Sequence, residues 1–163
     1  MGCGTNIVPG YKEFNNSADK DPGLEMKIEQ GLEYRGSHRP PDKEYGATLD
    51  NPTNIYPSDI YSPDGARLYG HGGLNTASDQ RVVNLIKAMK GKPNSKITIY
   101  RAIPSNSKSP KINKGDWVTI DRQYAIKHAQ HIGLKNPTIL SRTVRAKDLL
   151  TEGNSIYEWG YNP

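Results

Sequence analysis

The sequence predicts an α+β domain with a mainly antiparallel β-sheet core, a few helices and long irregular loops. Two segments, near residues 78–90 and 122–132, repeat apolar side chains at helical spacing. Short β-branched and aromatic segments at 97–103, 117–120, 138–144 and 155–161 read as strands. The resulting order of helix, two strands, helix and two strands is that of an α+β domain. With 16 Gly, 12 Pro and only 34% hydrophobic residues among 163, the core is modest and much of the chain is loop.

Residues 1–31 carry few apolar side chains and no clear period, and Asp21-Pro22-Gly23 reads as a turn. They are expected to form an arm, with a short helix near 24–30, ahead of a domain spanning 32–163. Met1-Gly2-Cys3 resembles an acylation signal, but Asn6 stands where that signal needs Ser or Thr. From 32 to 76 the dipeptides Pro40-Pro41, Asn51-Pro52, Tyr56-Pro57 and Ser62-Pro63 remove backbone donors and interrupt regular elements. Tyr34, Tyr45, Tyr56, Tyr61 and Tyr69 are spread through the same stretch. An ordered, irregular wrap anchored by tyrosine rings is expected there.

In the first clear helix, Val82, Leu85, Ile86 and Met89 form a core stripe. Thr76 and Asp79 suit a capping box, and Gly91 and Pro93 stop the helix. Lys114-Gly115 turns into the second strand, and Asp121 caps the second helix, which Gly133 ends. Tyr124, Ala125, His128, Ala129 and Ile132 share one face of it. A short helical turn is expected at 146–150, and Glu152-Gly153-Asn154 leads into the last strand.

The net charge of +5 favours anionic partners such as nucleotides, nucleic acid or acidic proteins. Lys108, Lys111 and Lys114 are interleaved with Ser, Pro and Asn, which reads as a solvated loop. A single cysteine, Cys3, excludes a disulfide framework within the chain and fits a reducing compartment. No apolar run approaches a membrane span and no signal-peptide core is seen, so no membrane partner and a cytoplasmic location are expected. No metal site is expected.

Three polar residues lie inside apolar, strand-like segments: Arg101 in Ile-Thr-Ile-Tyr-Arg-Ala, Thr119 in Gly-Asp-Trp-Val-Thr and Glu158 in Ser-Ile-Tyr-Glu-Trp-Gly-Tyr. Together they suggest one cleft offering a cation, a hydroxyl and a carboxylate. Strand alternation sets Arg101 with Ile97, Ile99 and Ile103, and Glu158 with Ile156 and Gly160. A pocket arginine suits a multidentate anion such as a diphosphate. A carboxylate among apolar neighbours can stabilise developing positive charge. The bland alternative is that Arg101 and Glu158 are paired with each other in the core.

Tyr100-Arg101-Ala102, Gly115-Asp116-Trp117-Val118-Thr119 and Asn154-Ser155-Ile156-Tyr157-Glu158-Trp159-Gly160-Tyr161 stand in the order found in one family. Over roughly 33–163 the chain resembles the ADP-ribosyltransferases of the Arg–Ser/Thr–Glu type, and most of all the small domains of that kind in phages and mobile elements. The resemblance implies a split antiparallel sheet and NAD as substrate. It also implies a macromolecular acceptor, protein or nucleic acid, in a bacterial or phage-infected cell. Arg101 would hold NAD through its phosphate or nicotinamide ribose, and the Ala102 backbone would clamp the carboxamide. Thr119 would position Glu158, which would contact the ribose and stabilise the oxocarbenium-like transition state as nicotinamide leaves. Tyr124, by its place after Thr119, is the candidate for stacking on nicotinamide. His128, one turn on, is either a second ligand contact or a core histidine. One departure is Ile156: arginine-modifying members carry Glu two residues before the catalytic one, and others Gln. NAD glycohydrolase activity and a non-catalytic nucleotide- or RNA-binding module are the competing functions.

Overall fold

The helix expected near 78–90 begins where its capping box closes. In the computed structural model, which describes residues 39–163, Asp79 N donates to Thr76 Oγ1 (3.0 Å) and Thr76 N donates to Asp79 Oδ2 (2.9 Å). The helix, α2, runs Ala77–Met89 after a short α1 at Gly65–Tyr69. Val82, Val83 and Ile86 are its buried apolar residues, whereas Leu85 and Met89 pack at the margin of the core. The second long helix, α3, spans Arg122–His131 and is capped by Asp121, which accepts from Tyr124 N. Gly133 follows it with φ +80°, the left-handed conformation that glycine adopts without penalty.

Six strands are present among the described residues: β1 (Ala47–Thr48), β2 (Lys96–Ile103), β3 (Trp117–Val118), β4 (Thr138–Arg145), β5 (Leu149–Thr151) and β6 (Trp159–Tyr161). All pairings are antiparallel, and they form two sheets, one ordered β1-β5-β6-β3 and one made of β2 and β4. The sheets meet at one bridge, where Tyr100 N donates to Thr119 O (2.8 Å) and Thr119 N to Tyr100 O (3.0 Å). The α+β class is therefore as expected. Ile97 and Ile99 of β2, Leu149 of β5 and Trp159 of β6 join Val82, Val83 and Ile86 in the core. No helix among the described residues is long and apolar enough to cross a membrane.

Two expected elements differ. The last strand does not start at Ser155. Ser155 Oγ accepts from Tyr157 N (3.1 Å), and Trp159 Nε1 donates to Ile156 O (2.9 Å), closing a turn instead. A serine that bonds its neighbours' backbone competes with the ladder, so pairing begins only at Trp159. Likewise the helical turn expected at 146–150 is a 3₁₀ turn at Ala146–Asp148 that gives way to β5. Asp148 binds both the backbone and the guanidinium of Arg145, which closes the turn after three residues. The next residues, Leu149 to Thr151, are buried between β1 and β6.

The Pro- and Tyr-rich stretch is ordered over its described part, with 3₁₀ turns at Pro52–Asn54, Ser58–Tyr61 and His71–Gly73. Tyr56 is buried edge-on to Tyr69 (5.5 Å), and Lys90 sits over the Tyr61 ring (4.3 Å). Tyr45 is no anchor, being 69% exposed. Lys108, Lys111 and Lys114 are exposed, as a solvated loop requires. The arm at 1–31, its short helix, Cys3 and Tyr34 lie outside the described residues.

Candidate active site

The register of the strands brings the three polar residues to the seam between the sheets. Trp117 pairs with Gly160 and Val118 with Trp159, so Thr119 and Glu158 are the next residues along. Thr119 in turn bridges to Tyr100, beside Arg101 on β2. Neither Thr119 nor Glu158 is inside a ladder: Thr119 makes the isolated bridge, and Glu158 ends the Ser155 turn. The alternation that set Glu158 on one face with Ile156 therefore does not hold. Ile156 is fully buried in the core.

Glu158 is 6% exposed and faces aromatic groups. Tyr124 Oη donates to its Oε2, while Oε1 is buried without a hydrogen-bond partner. Burial pushes the carboxyl up to about 7, and the phenol hydrogen bond offsets only part of that rise. Tyr124 stacks on Tyr157 (4.7 Å, 16°) and on His128 (5.7 Å, 21°). The exposed His71 ring lies 4.7 Å from Tyr157 and 6.0 Å from Tyr124. His128 is held down to about 4, first by burial and then by the charges of His131 and Arg101, so its imidazole is neutral at pH 7.

Arg101 does not pair with Glu158. Its Nη1 donates to Trp117 O (2.7 Å), and its Nε lies 3.8 Å from the buried Asp116 carboxylate. The alternative of an arginine satisfied by a core carboxylate is thus met in part, with Asp116 rather than Glu158 as the partner. A guanidinium has five N–H donors in a fixed fork, and these contacts leave Arg101 donors for an anion. Ala102 lies next in β2, half-buried and in register with Ile139.

Thr119 does not hydrogen-bond Glu158 either. Its Oγ1 accepts from Asp121 N (3.2 Å), and the Asp121 carboxylate accepts from Tyr124 N (3.3 Å) and pairs with Arg81 (3.1 Å). Orientation thus reaches Glu158 through the α3 cap and the Tyr124 phenol. Sequence reasoning gave no place at the site to Asp79, read only as a helix cap, to Asp116 and Tyr157, read only as motif neighbours, or to His71. Tyr157, adjacent to Glu158, was the one with a usable signal, since an aromatic beside a buried carboxylate is well placed to wall it. Among the described residues no group of three or more His, Cys, Asp or Glu is placed to hold a metal. Comparison with protein-family models, curated proteins and solved structures finds no match to the chain.

Proposed function

We propose that the chain is an NAD-dependent mono-ADP-ribosyltransferase with the split-sheet fold of the Arg–Ser/Thr–Glu type. The observation that carries this reading is the Glu158 carboxylate, buried among aromatic rings with Oε1 unpartnered. Breaking the bond between nicotinamide nitrogen and ribose C1′ sends the electron pair out with nicotinamide and leaves positive charge on the sugar. A carboxylate fixed in an apolar wall stabilises that charge, and such preorganised groups are worth roughly 10²–10³ in rate. Glu158 Oε1 is an acceptor for a ribose hydroxyl, and Arg101 supplies donors for the diphosphate. Tyr124, expected to stack on nicotinamide, already stacks its ring on Tyr157 and His128 and acts instead through its phenol on Glu158, with the Ala102 backbone across the seam. A nucleophile on a protein or nucleic-acid acceptor then attacks C1′ and gives up a proton.

The test is nicotinamide release from NAD, followed by transfer of label from NAD to cell lysate, with protease or nuclease treatment of the product. Label that one treatment removes identifies the acceptor class. No binding of NAD by calorimetry would leave a nucleotide- or RNA-binding module as the reading. Ile156, two residues before Glu158, is buried and offers no polar atom to orient an arginine acceptor, and the NAD glycohydrolase is the second reading. Rapid nicotinamide release with no acceptor present would select it.

A further inference from the structure

Asp79 is the third residue of α2, and for its capping box it needs only the Thr76 backbone. It does more. It is fully buried, and its Oδ1 also accepts from His71 N (3.2 Å) and from Tyr157 Oη (2.5 Å). Gly70 shows how tightly the group is enclosed: a Cβ there would collide with the Asp79 carboxyl and with the Ala66 carbonyl. A buried carboxylate is costly unless hydrogen bonds satisfy it. Here the cap alone supplies one backbone donor, and the phenol comes from a residue 78 positions away.

Tyr157 is not an incidental donor. It precedes Glu158 in the chain, and its ring stacks on Tyr124, whose phenol binds Glu158 Oε2. Holding Tyr157 Oη fixes the ring plane on which Tyr124 lies, and also the backbone from which Glu158 projects. Arg81, two residues on in α2, pairs with Asp121, which caps the helix carrying Tyr124. The first turns of α2 therefore hold both tyrosines, one through Asp79 and the other through Arg81.

We propose that Asp79 is a positioning residue for the Glu158 carboxylate, acting through the phenol of Tyr157 and the ring of Tyr124. Its catalytic meaning rests on the reading of Glu158 as the reacting carboxylate. The geometric claim does not.

The test uses Tyr157→Phe, which removes the phenol and leaves the Thr76–Asp79 cap intact, alongside Asp79→Asn and Tyr124→Phe. The full chain labelled at glutamate carboxyl carbons is titrated by NMR, with Glu158 assigned by its loss in Glu158→Gln. Tyr124→Phe removes a bond that favours the charged form, so it raises the Glu158 midpoint. Tyr157→Phe and Asp79→Asn are expected to raise it in the same direction by a smaller amount. In nicotinamide release both are expected to lower kcat several-fold with KM for NAD little changed. A folded Tyr157→Phe variant whose Glu158 titration matches the parent overturns the proposal. Absence of turnover in the parent, with the titration shifts present, would overturn the enzymatic reading and leave the positioning role standing.

Discussion

The two charged corners of the sheet seam are built in opposite ways. At the Arg101 corner the charge is compensated, because the guanidinium donates to Trp117 O and lies beside the buried Asp116 carboxylate. At the Glu158 corner it is not: one oxygen takes the Tyr124 phenol and the other takes nothing. A protein that leaves a buried acceptor unpaired forgoes stability, since such a group costs about 1–3 kcal/mol. The difference teaches that polarity inside an apolar segment does not by itself mark chemistry. What separates the corners is whether the surrounding fold has already answered the charge.

The sharpest break of that comparison is Glu158→Gln. It is expected to lower nicotinamide release by roughly 10²–10³ while the protein stays folded. Retained activity would remove Glu158 from the reaction. The same variant tests the cost of the unanswered charge. The Glu158 carboxyl sits near 7 against an ordinary 4.5, so the folded state binds this proton more tightly than the unfolded one. Its contribution favours folding at low pH and declines as pH rises from 4.5 to about 7, by about 3 kcal/mol in all. Denaturant unfolding at pH 5 and pH 8 should show Glu158→Gln stabilising the protein mainly at the higher pH. In the parent, activity that needs the carboxylate should rise with pH to a plateau above about 7.

Arg101→Leu probes the compensated corner. Losing the guanidinium removes the cation beside Asp116, which also accepts from Asn113 N (2.8 Å), at a stability cost of about 1–2 kcal/mol. If Arg101 also holds NAD, KM rises about tenfold, worth about 1.4 kcal/mol. A loss of stability without any change in KM would make this corner purely structural. Tyr124→Phe should lower the rate by up to about tenfold, consistent with one lost hydrogen bond to a charged group. Thr119→Val is the smallest: about 1 kcal/mol or less of stability through Asp121 N, and little change in rate. A loss as large as that of Glu158→Gln would mean that Thr119 reaches the substrate itself.

Much of the frame was legible because it is local. The α2 cap spans Thr76 to Asp79, the α3 cap spans Asp121 to Tyr124, and β2 carries the β-branched run Ile97-Thr98-Ile99. Local signals failed at Ser155, whose hydroxyl closes a turn before the strand pairs, and at Leu149, where burial between two strands overrides helix propensity.

Of the candidate site, the sequence by itself determined which side chains carry charge and that Arg101, Thr119 and Glu158 fall in apolar segments. Tertiary structure alone decided the partners of the two charged residues: Asp116 for Arg101, and Tyr124 for one Glu158 oxygen. The reason is range. Caps and periodicities are set within a turn of chain, whereas Tyr124 meets Glu158 across 34 residues and Asp79 meets Tyr157 across 78. Contacts at that separation exist only once the sheets and helices have packed, and it is they that leave Glu158 Oε1 buried and unpaired.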